Sequence, residues 1–352
     1  MSQFIQLHLL TSYPPANLNR DDLGRPKTAK MGGVDRLRVS SQSLKRTWRM
    51  SDIFQKAMSG HIGVRTKRLG ITAYELLVEK GVNEKNALKW AKEIAGEFGA
   101  LKKDKENPLN ELAIEQLVHV SPAEQQAIDN LVAKLANENR APEKGELEFL
   151  RMESQAVDIA LFGRMLASKP AFNIEAACQV AHAISVHPVI IEDDYFTAVD
   201  DLNDNKQDAG AAHIGETGFA AGLFYSYICI NKSLLIENLG DEQLAKKAIT
   251  AFTEAAIKVS PEGKQNSFAT RAYASYVLAE AGEQQPRSLS AAFLKPIEQR
   301  NSDDFIGDAI NVLQRQQQNF DKVYGDCADS RCELNVPDAQ GSLIELLAFV
   351  SE

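Results

Sequence analysis

Residues 38–49 read RVSSQSLKRTWR, with two serines standing before a run whose apolar residues fall at helical spacing. Ser40-Ser41 predicts an N-cap, because a serine oxygen accepts from the free amides of a helix's first turn. The helix is expected over Gln42–Met58, with Leu44, Trp48 and Phe54 on an inward side. Lys45 and Arg49, one turn apart, share another face with Arg46 beside it. A helix N-terminus itself favours an anion such as phosphate, and these cations sit within its first turns. Upstream, residues 17–37 hold Gly24, Pro26 and Gly32-Gly33 and read as a loop. Before that loop, Ile5, Leu7 and Leu9 alternate with Gln6 and His8, which predicts a half-buried first strand over Phe4–Leu10. The Pro14-Pro15 pair is expected to end it.

Charge sets this stretch apart. The 352-residue chain carries a net charge of -9, with 44% apolar and 25% charged residues, as ordinary globular proteins do. Between Asn17 and Arg49, however, nine basic residues face three acids, which is +6 against -15 for the rest. Arg65, Lys67 and Arg68 follow with no acid between them. Such a concentration on an acidic background is the footprint of a polyanion-binding surface. Asn17, Asn19, Ser40, Ser41, Gln42 and Ser43 interleave with the cations, and short polar side chains of this kind serve phosphate and sugar contacts. The opposing reading is a solvated, salt-bridged face.

Further along, residues 70–152 read as helical throughout, the clearest start being the capping box Ser121-Pro122-Ala123-Glu124. Ile128, Leu131, Val132 and Leu135 follow at helical spacing, and the block is expected to be a helical insertion. Val157–Phe162 and Ala181–Ile191 are short apolar runs read as strands, flanking a helix near Asn173–Val180. The run LFYSYICI, Leu223–Ile230, has the aromatic and β-branched content of a buried strand. Helices are expected around Leu244–Ala256, over Asp303–Gln318 and over Ser342–Phe349. This order predicts an α+β sheet with helices on one face. Between Glu192 and Asp208 seven acids meet one lysine, and four glycines at 210, 215, 218 and 222 follow, so a long protruding arm is expected.

Catalytic motifs are scarce. Gly210-Ala-Ala-His-Ile-Gly215-Glu216-Thr217 imitates a phosphate loop but places a carboxylate where its lysine belongs. His182 and His187, five apart in an expected strand, would face opposite sides. His8, His61, His119 and His213 are scattered, and loop acids such as Asp193-Asp194 read as solvated rather than metal-binding. Cys178 and Cys229 sit in apolar runs. Cys327 and Cys332 lack the further ligands a zinc site needs. No catalytic residue, metal or cofactor is therefore expected. With no signal-like or membrane-spanning stretch, a cytoplasmic location and no membrane partner are expected.

Leu18-Asn-Arg-Asp-Asp22, Gly32-Gly33, Arg38-Val-Ser-Ser-Gln-Ser-Leu-Lys-Arg46, Val157-Asp-Ile-Ala-Leu-Phe-Gly-Arg-Met165, Ala181-His-Ala-Ile, Phe196-Thr-Ala-Val-Asp-Asp-Leu202, and Ala212-His-Ile-Gly215 leading to Gly222-Leu-Phe-Tyr225 occur in this order. In this combination, over the first two-thirds of the chain, the sequence resembles the guide-RNA-binding backbone subunit of the type I-E CRISPR surveillance complex (Cascade), of the RAMP superfamily. The resemblance implies a modified RNA-recognition-motif (ferredoxin-like) palm over 1–59, 156–191 and 221–352. It also implies helical fingers over 60–155 and a thumb over 192–220. It makes Arg20, Lys27, Arg38, Ser40, Gln42, Lys45, Arg46 and Arg49 candidates for phosphate and sugar contact. Met165, Phe196, Thr197 and Ile214 would pack against bases at a kink, and Tyr195 stands where related proteins can carry tryptophan. The partners implied are guide RNA (crRNA), the target DNA strand through the guide, further copies head to tail, and other Cascade subunits. The glycine-rich loop that RNA-cleaving relatives often carry near the C-terminus is not evident, which fits a non-catalytic scaffold in antiviral defence. The alternatives are a guide-RNA-processing endoribonuclease of the same superfamily and an adaptor that binds proteins through its acidic arm. That arm, net -6, is also expected to dock on the basic surface of the next copy, through Asp200 and Asp201 among others.

Overall fold

The structure, a computed structural model, describes residues 3–104, 106–150, 155–198, 213–298 and 303–352. The chain opens with β1 (Phe4–Ala16), β2 (Thr28–Met31) and β3 (Val34–Val39), followed by α1 (Ser41–Met50) and α2 (Asp52–Ala57). Next come β4 (Val64–Thr66), α3 (Leu69–Glu79), α4 (Glu84–Gly96), β5 (Val118–Val120) and α5 (Pro122–Glu138). The chain then forms α6 (Val157–Phe162), β6 (Cys178–Val180), β7 (Ala183–Ser185), β8 (Glu192–Ala198) and the long β9 (His213–Asn231). It ends with α7 (Lys232–Leu239), α8 (Glu242–Lys258), α9 (Gln265–Phe268), β10 (Tyr276–Gly282), α10 (Phe305–Tyr324), β11 (Ser330–Asn335) and α11 (Leu343–Ser351).

The class is α+β, as expected. One antiparallel sheet runs β11-β10-β1-β9-β7-β3-β2, with β6 and β8 also paired to β9. The first strand is buried on both faces rather than one. Ile5, Leu7 and Leu9 join Leu44, Trp48, Phe54 and the inner side of α8 in the larger apolar cluster. Leu10 points the other way, toward Tyr276, Leu289 and Phe293, and α10 covers that face with Ala309, Ile310 and Leu313. The expectation of helices on one face is corrected accordingly. Phe252 on α8 makes edge-to-face contacts with Trp48, Phe54 and Phe162, and so ties α1, α2 and α6 to α8.

Several boundaries also differ from expectation. The strand passes through Pro14-Pro15, because the register slips between Tyr13 and Ala16 and the prolines need not donate to the ladder. The basic segment is not all loop, since β2 and β3 form a hairpin whose turn is Gly32-Gly33, both at positive φ (64° and 83°). Glycine tolerates that geometry, and the Gly-Gly pair between short runs was the available signal. The helix expected over Gln42–Met58 is two helices joined at Ser51. Its hydroxyl donates to Trp48 O (2.7 Å) and accepts from Phe54 N (3.3 Å), capping both. Val157–Phe162 is a helix, not a strand; a six-residue buried run carries too little periodicity to separate the two. Residues 173–180 are not a helix but a connection ending in β6.

Helices α3, α4 and α5 build a separate apolar cluster around Leu77, Trp90, Ile94 and Val132. The block 70–152 is not helical throughout, because it contains β5, which pairs with β4 just before the block in a small two-stranded sheet. The Ser121 cap forms as expected: its oxygen accepts from Glu124 N (3.2 Å), and Glu124 accepts from Ser121 N (2.9 Å). Glu124 also holds the buried Arg164 at 2.8 Å. Among the described residues no helix is long and apolar enough to cross a membrane.

Candidate nucleic-acid interface

The N-terminus of α1 is where the basic segment gathers. Ser40, in extended conformation, accepts from Ser43 N (3.4 Å) and so occupies one of the amides a helix start leaves free. Its own amide donates to Asn19 Oδ1 (2.9 Å), which fastens the 19–27 loop to the cap. Lys27 N donates to Asn19 O, and Arg38 N to Lys27 O, both at 2.8 Å. Asp21 Oδ1 accepts from Leu23 N and Arg25 N (2.9 Å), closing the loop's turn. Fully buried Asn17 donates to Gly24 O and Gly218 O, both at 2.9 Å. The loop is thereby joined to the root of the β8–β9 hairpin, and Arg25 adds an ion pair to Asp193 (3.1 Å). Asn17 and Asn19 thus position the loop.

Around this frame Arg20 and Arg46 line one cleft of about 760 Å³, with Ser43 and Glu262. Lys27 and Arg38 border a small hollow beside it. Gln42 is exposed, and Lys45 lies over the Phe162 ring at 5.6 Å. Among the described residues Arg20, Lys27, Arg38, Lys45 and Arg46 have no carboxylate within 4 Å. The salt-bridged reading therefore holds for Arg25, paired with Asp193, but not for these five cations.

Two members of the segment are structural. Arg36 is fully buried and donates to Met31 O (3.2 Å), Ser185 O (2.9 Å) and Phe293 O (2.9 Å). Arg49, expected at the phosphate surface, is 8% exposed and bound to Asp158 Oδ2 (2.7 Å) and Gly63 O (3.1 Å). That expectation is corrected: the last turn of α1 points into the protein, and its cation neutralises a buried acid.

His182 joins this surface although nothing beside it in the sequence announces the role. Its Nδ1 lies 3.2 Å from Arg38 Nη1 and 3.4 Å from Ser41 N. Partial burial, then the charges of Arg38 and Lys27, lower its pKa. It lies between β6 and β7, in no strand, so the opposite-face argument does not apply.

The hairpin expected as an arm is formed, in its described part, by β8 and β9 in the register Tyr195↔Glu216, Phe196↔Gly215 and Thr197↔Ile214. Successive side chains alternate, so Tyr195 and Thr197 share one face and Phe196 takes the other. The Phe196 ring lies over Gly215, where any Cβ would collide with it. Tyr195 is 65% and Met165 76% exposed, and Met165 borders a separate cleft of about 250 Å³ with Phe98 and Leu117. No described cleft is shared by Met165 and the hairpin residues. The side chain of Ile214, and Asp200 and Asp201 with the docking expected of them, lie outside the described residues.

Cys178 and Cys229 are buried, and burial raises both thiols, Cys229 to about 11. Among the described residues no cluster of three or more metal-ligating side chains occurs.

An antiparallel sheet with a helix-capped basic edge and a projecting hairpin defines the class of fold. The family model of CT1975-like proteins matches residues 5–347, and the chain belongs to that family. Among solved structures it is similar to a chain of a "CRISPR RNA-guided surveillance complex, pre-nicking", at 30% identity and TM-score 0.86 over 99% of both chains. It is also similar to a chain of a "CRISPR RNA-guided surveillance complex", at 26% identity and TM-score 0.62 over 99% of this chain and 98% of that one. No curated protein matches.

Proposed function

We propose that this protein is the non-catalytic backbone subunit of a CRISPR RNA-guided surveillance complex of the Cascade kind. It grips guide RNA through the sugar–phosphate backbone without regard to sequence. The observation that carries the reading is the edge of five cations, Arg20, Lys27, Arg38, Lys45 and Arg46, around the capped start of α1, none of which has a carboxylate within 4 Å among the described residues. An unpaired cation gains more from a phosphate than one already held by a carboxylate. Backbone contacts leave base edges free, so specificity passes to pairing between guide and target DNA strand. The 1–59, 156–191 and 221–352 segments serve as palm, 60–155 as fingers and 192–220 as thumb. Tyr195, Phe196, Thr197, Met165 and Ile214 attend bases at a kink. Further copies stack head to tail beside other subunits, in the cytoplasm and in antiviral defence. Purification without nuclease treatment tests this: RNA of uniform length should accompany the protein, and its absence would sink the proposal.

One observation favours the endoribonuclease reading, namely a histidine, His182, beside Arg38. Incubating the RNA-bound protein alone and sizing the RNA separates the two; RNA of unchanged length supports the scaffold.

A further inference from the structure

His182 belongs to the motif Ala181-His-Ala-Ile, to which neither the resemblance nor the charge pattern attaches a role. Its surroundings decide its protonation. Arg38 Nη1 and Ser41 N both approach Nδ1, and both groups can only donate. Nδ1 must therefore be the acceptor, which leaves the single ring proton on Nε2. A second proton could go only onto Nδ1, against a guanidinium and an amide N–H. The nearby charges of Arg38 and Lys27 oppose it as well, and the lowered pKa agrees. The residue is exposed, and among the described residues its Nε2 has no hydrogen-bond partner, beside cations that have no carboxylate within 4 Å there. A neutral donor is held there in one orientation by its own neighbours.

We infer that His182 is a guide-binding residue that donates from Nε2–H to an oxygen of the RNA backbone, either a phosphate oxygen or a 2′-hydroxyl. This rests on the proposed RNA-binding function and deepens it. The cations supply attraction that is indifferent to position, whereas a fixed neutral donor supplies register. A 2′-hydroxyl as acceptor would also let the site tell RNA from DNA. The same geometry argues against general-base catalysis: the ring nitrogen that could take a proton is already occupied by two donors.

The test is binding of the purified protein to a labelled single-stranded RNA oligonucleotide of mixed sequence and to the DNA oligonucleotide of the same sequence. His182→Ala should weaken RNA binding by about five- to tenfold, the share of one well-placed hydrogen bond. His182→Gln, whose amide nitrogen can take the place of Nε2, should recover most of that loss. If the loss appears on RNA but not on DNA, the acceptor is the 2′-hydroxyl; if it appears on both, it is a phosphate oxygen. His182→Ala binding RNA as tightly as wild type, while Arg46→Ala binds weakly, overturns the inference and leaves the proposed function standing. So does a His182→Gln protein that melts like wild type yet binds no better than His182→Ala. RNA shortened by wild type but not by His182→Ala overturns it in favour of catalysis. Wild-type protein that binds neither oligonucleotide overturns the proposed function itself.

Discussion

Arg49 on α1 and Asp158 on α6 form a buried ion pair, Nε to Oδ2 at 2.7 Å, at the point where three parts of the chain meet. His119 Nε2 from β5 reaches the same carboxylate at 2.8 Å, and Gly63 N donates to its other oxygen at 2.8 Å. Gly63 lies so close to β5 that a Cβ would stand 2.7 Å from Val120 O. The motif Val157-Asp-Ile-Ala-Leu-Phe-Gly-Arg therefore has a structural meaning: Asp158 and Arg164 fasten the helical insertion to the sheet domain.

Removing one partner leaves an uncompensated buried charge, which costs far more than the intact pair contributes. Asp158→Ala should lower unfolding stability by about 3–5 kcal/mol in denaturant titration. Arg49→Ala should cost a similar amount. The double variant should cost less than the sum of the two, because each single change already breaks the pair. Additive losses would show that Arg49 and Asp158 do not act together.

Glu280 gives the protein an acid-sensitive stability. Burial opposes its charge, but hydrogen bonds from His8 and Arg287, with Arg331 Nε at 2.8 Å, outweigh burial and hold its pKa well below the usual carboxylate range. Because the folded value lies below the unfolded one, the stabilisation is present in full above the ordinary glutamate pKa of about 4.3 and fades as pH falls toward the folded value. Melting temperature should therefore drop below about pH 4.3. Glu280→Gln should be less stable at neutral pH and show a shallower acid limb. An equally steep limb in the variant would assign the acid sensitivity to other carboxylates.

Ser40 caps α1 through its side chain and ties down Asn19 through its amide. Ser40→Ala keeps the amide and loses the cap, so it should cost about 1 kcal/mol. Ser40→Asp should hold that stability but weaken RNA binding, since a carboxylate at the helix start repels phosphate. Equal RNA affinity for the two variants would place the phosphates away from the start of α1.

What could be read beforehand was local. The Ser121–Glu124 cap, the Leu223–Ile230 strand and the α8 periodicity are properties of neighbouring residues, and all three form. The misreadings arise where the deciding partner is remote. Nothing near Arg49 announces Asp158, nothing near Arg36 announces Phe293 O, and His182 meets Arg38 only through the β3–β7 pairing. Burial on both faces likewise hid the role of α10, because Gln6 and His8 look like solvent positions until Tyr227 and Glu280 bond them.

The cations of one segment should consequently separate into two behaviours, and Arg36 and Arg46 are the pair to compare. Arg36 is buried with three carbonyl partners, so Arg36→Ala strands buried acceptors on three segments and should destabilise the protein by several kcal/mol. Arg46 is exposed in the cleft with Arg20 and has no carboxylate within 4 Å among the described residues. Arg46→Ala should leave the melting temperature almost unchanged. Its effect should appear in RNA affinity measured across a salt series, where the slope of log affinity against log salt falls by about 0.7 for each single-strand phosphate that the protein no longer neutralises. Arg36→Ala protein that remains folded should keep the wild-type slope, because its guanidinium never meets solvent. A reduced slope for Arg36→Ala with an unchanged one for Arg46→Ala would invert the assignment of surface and core in this segment.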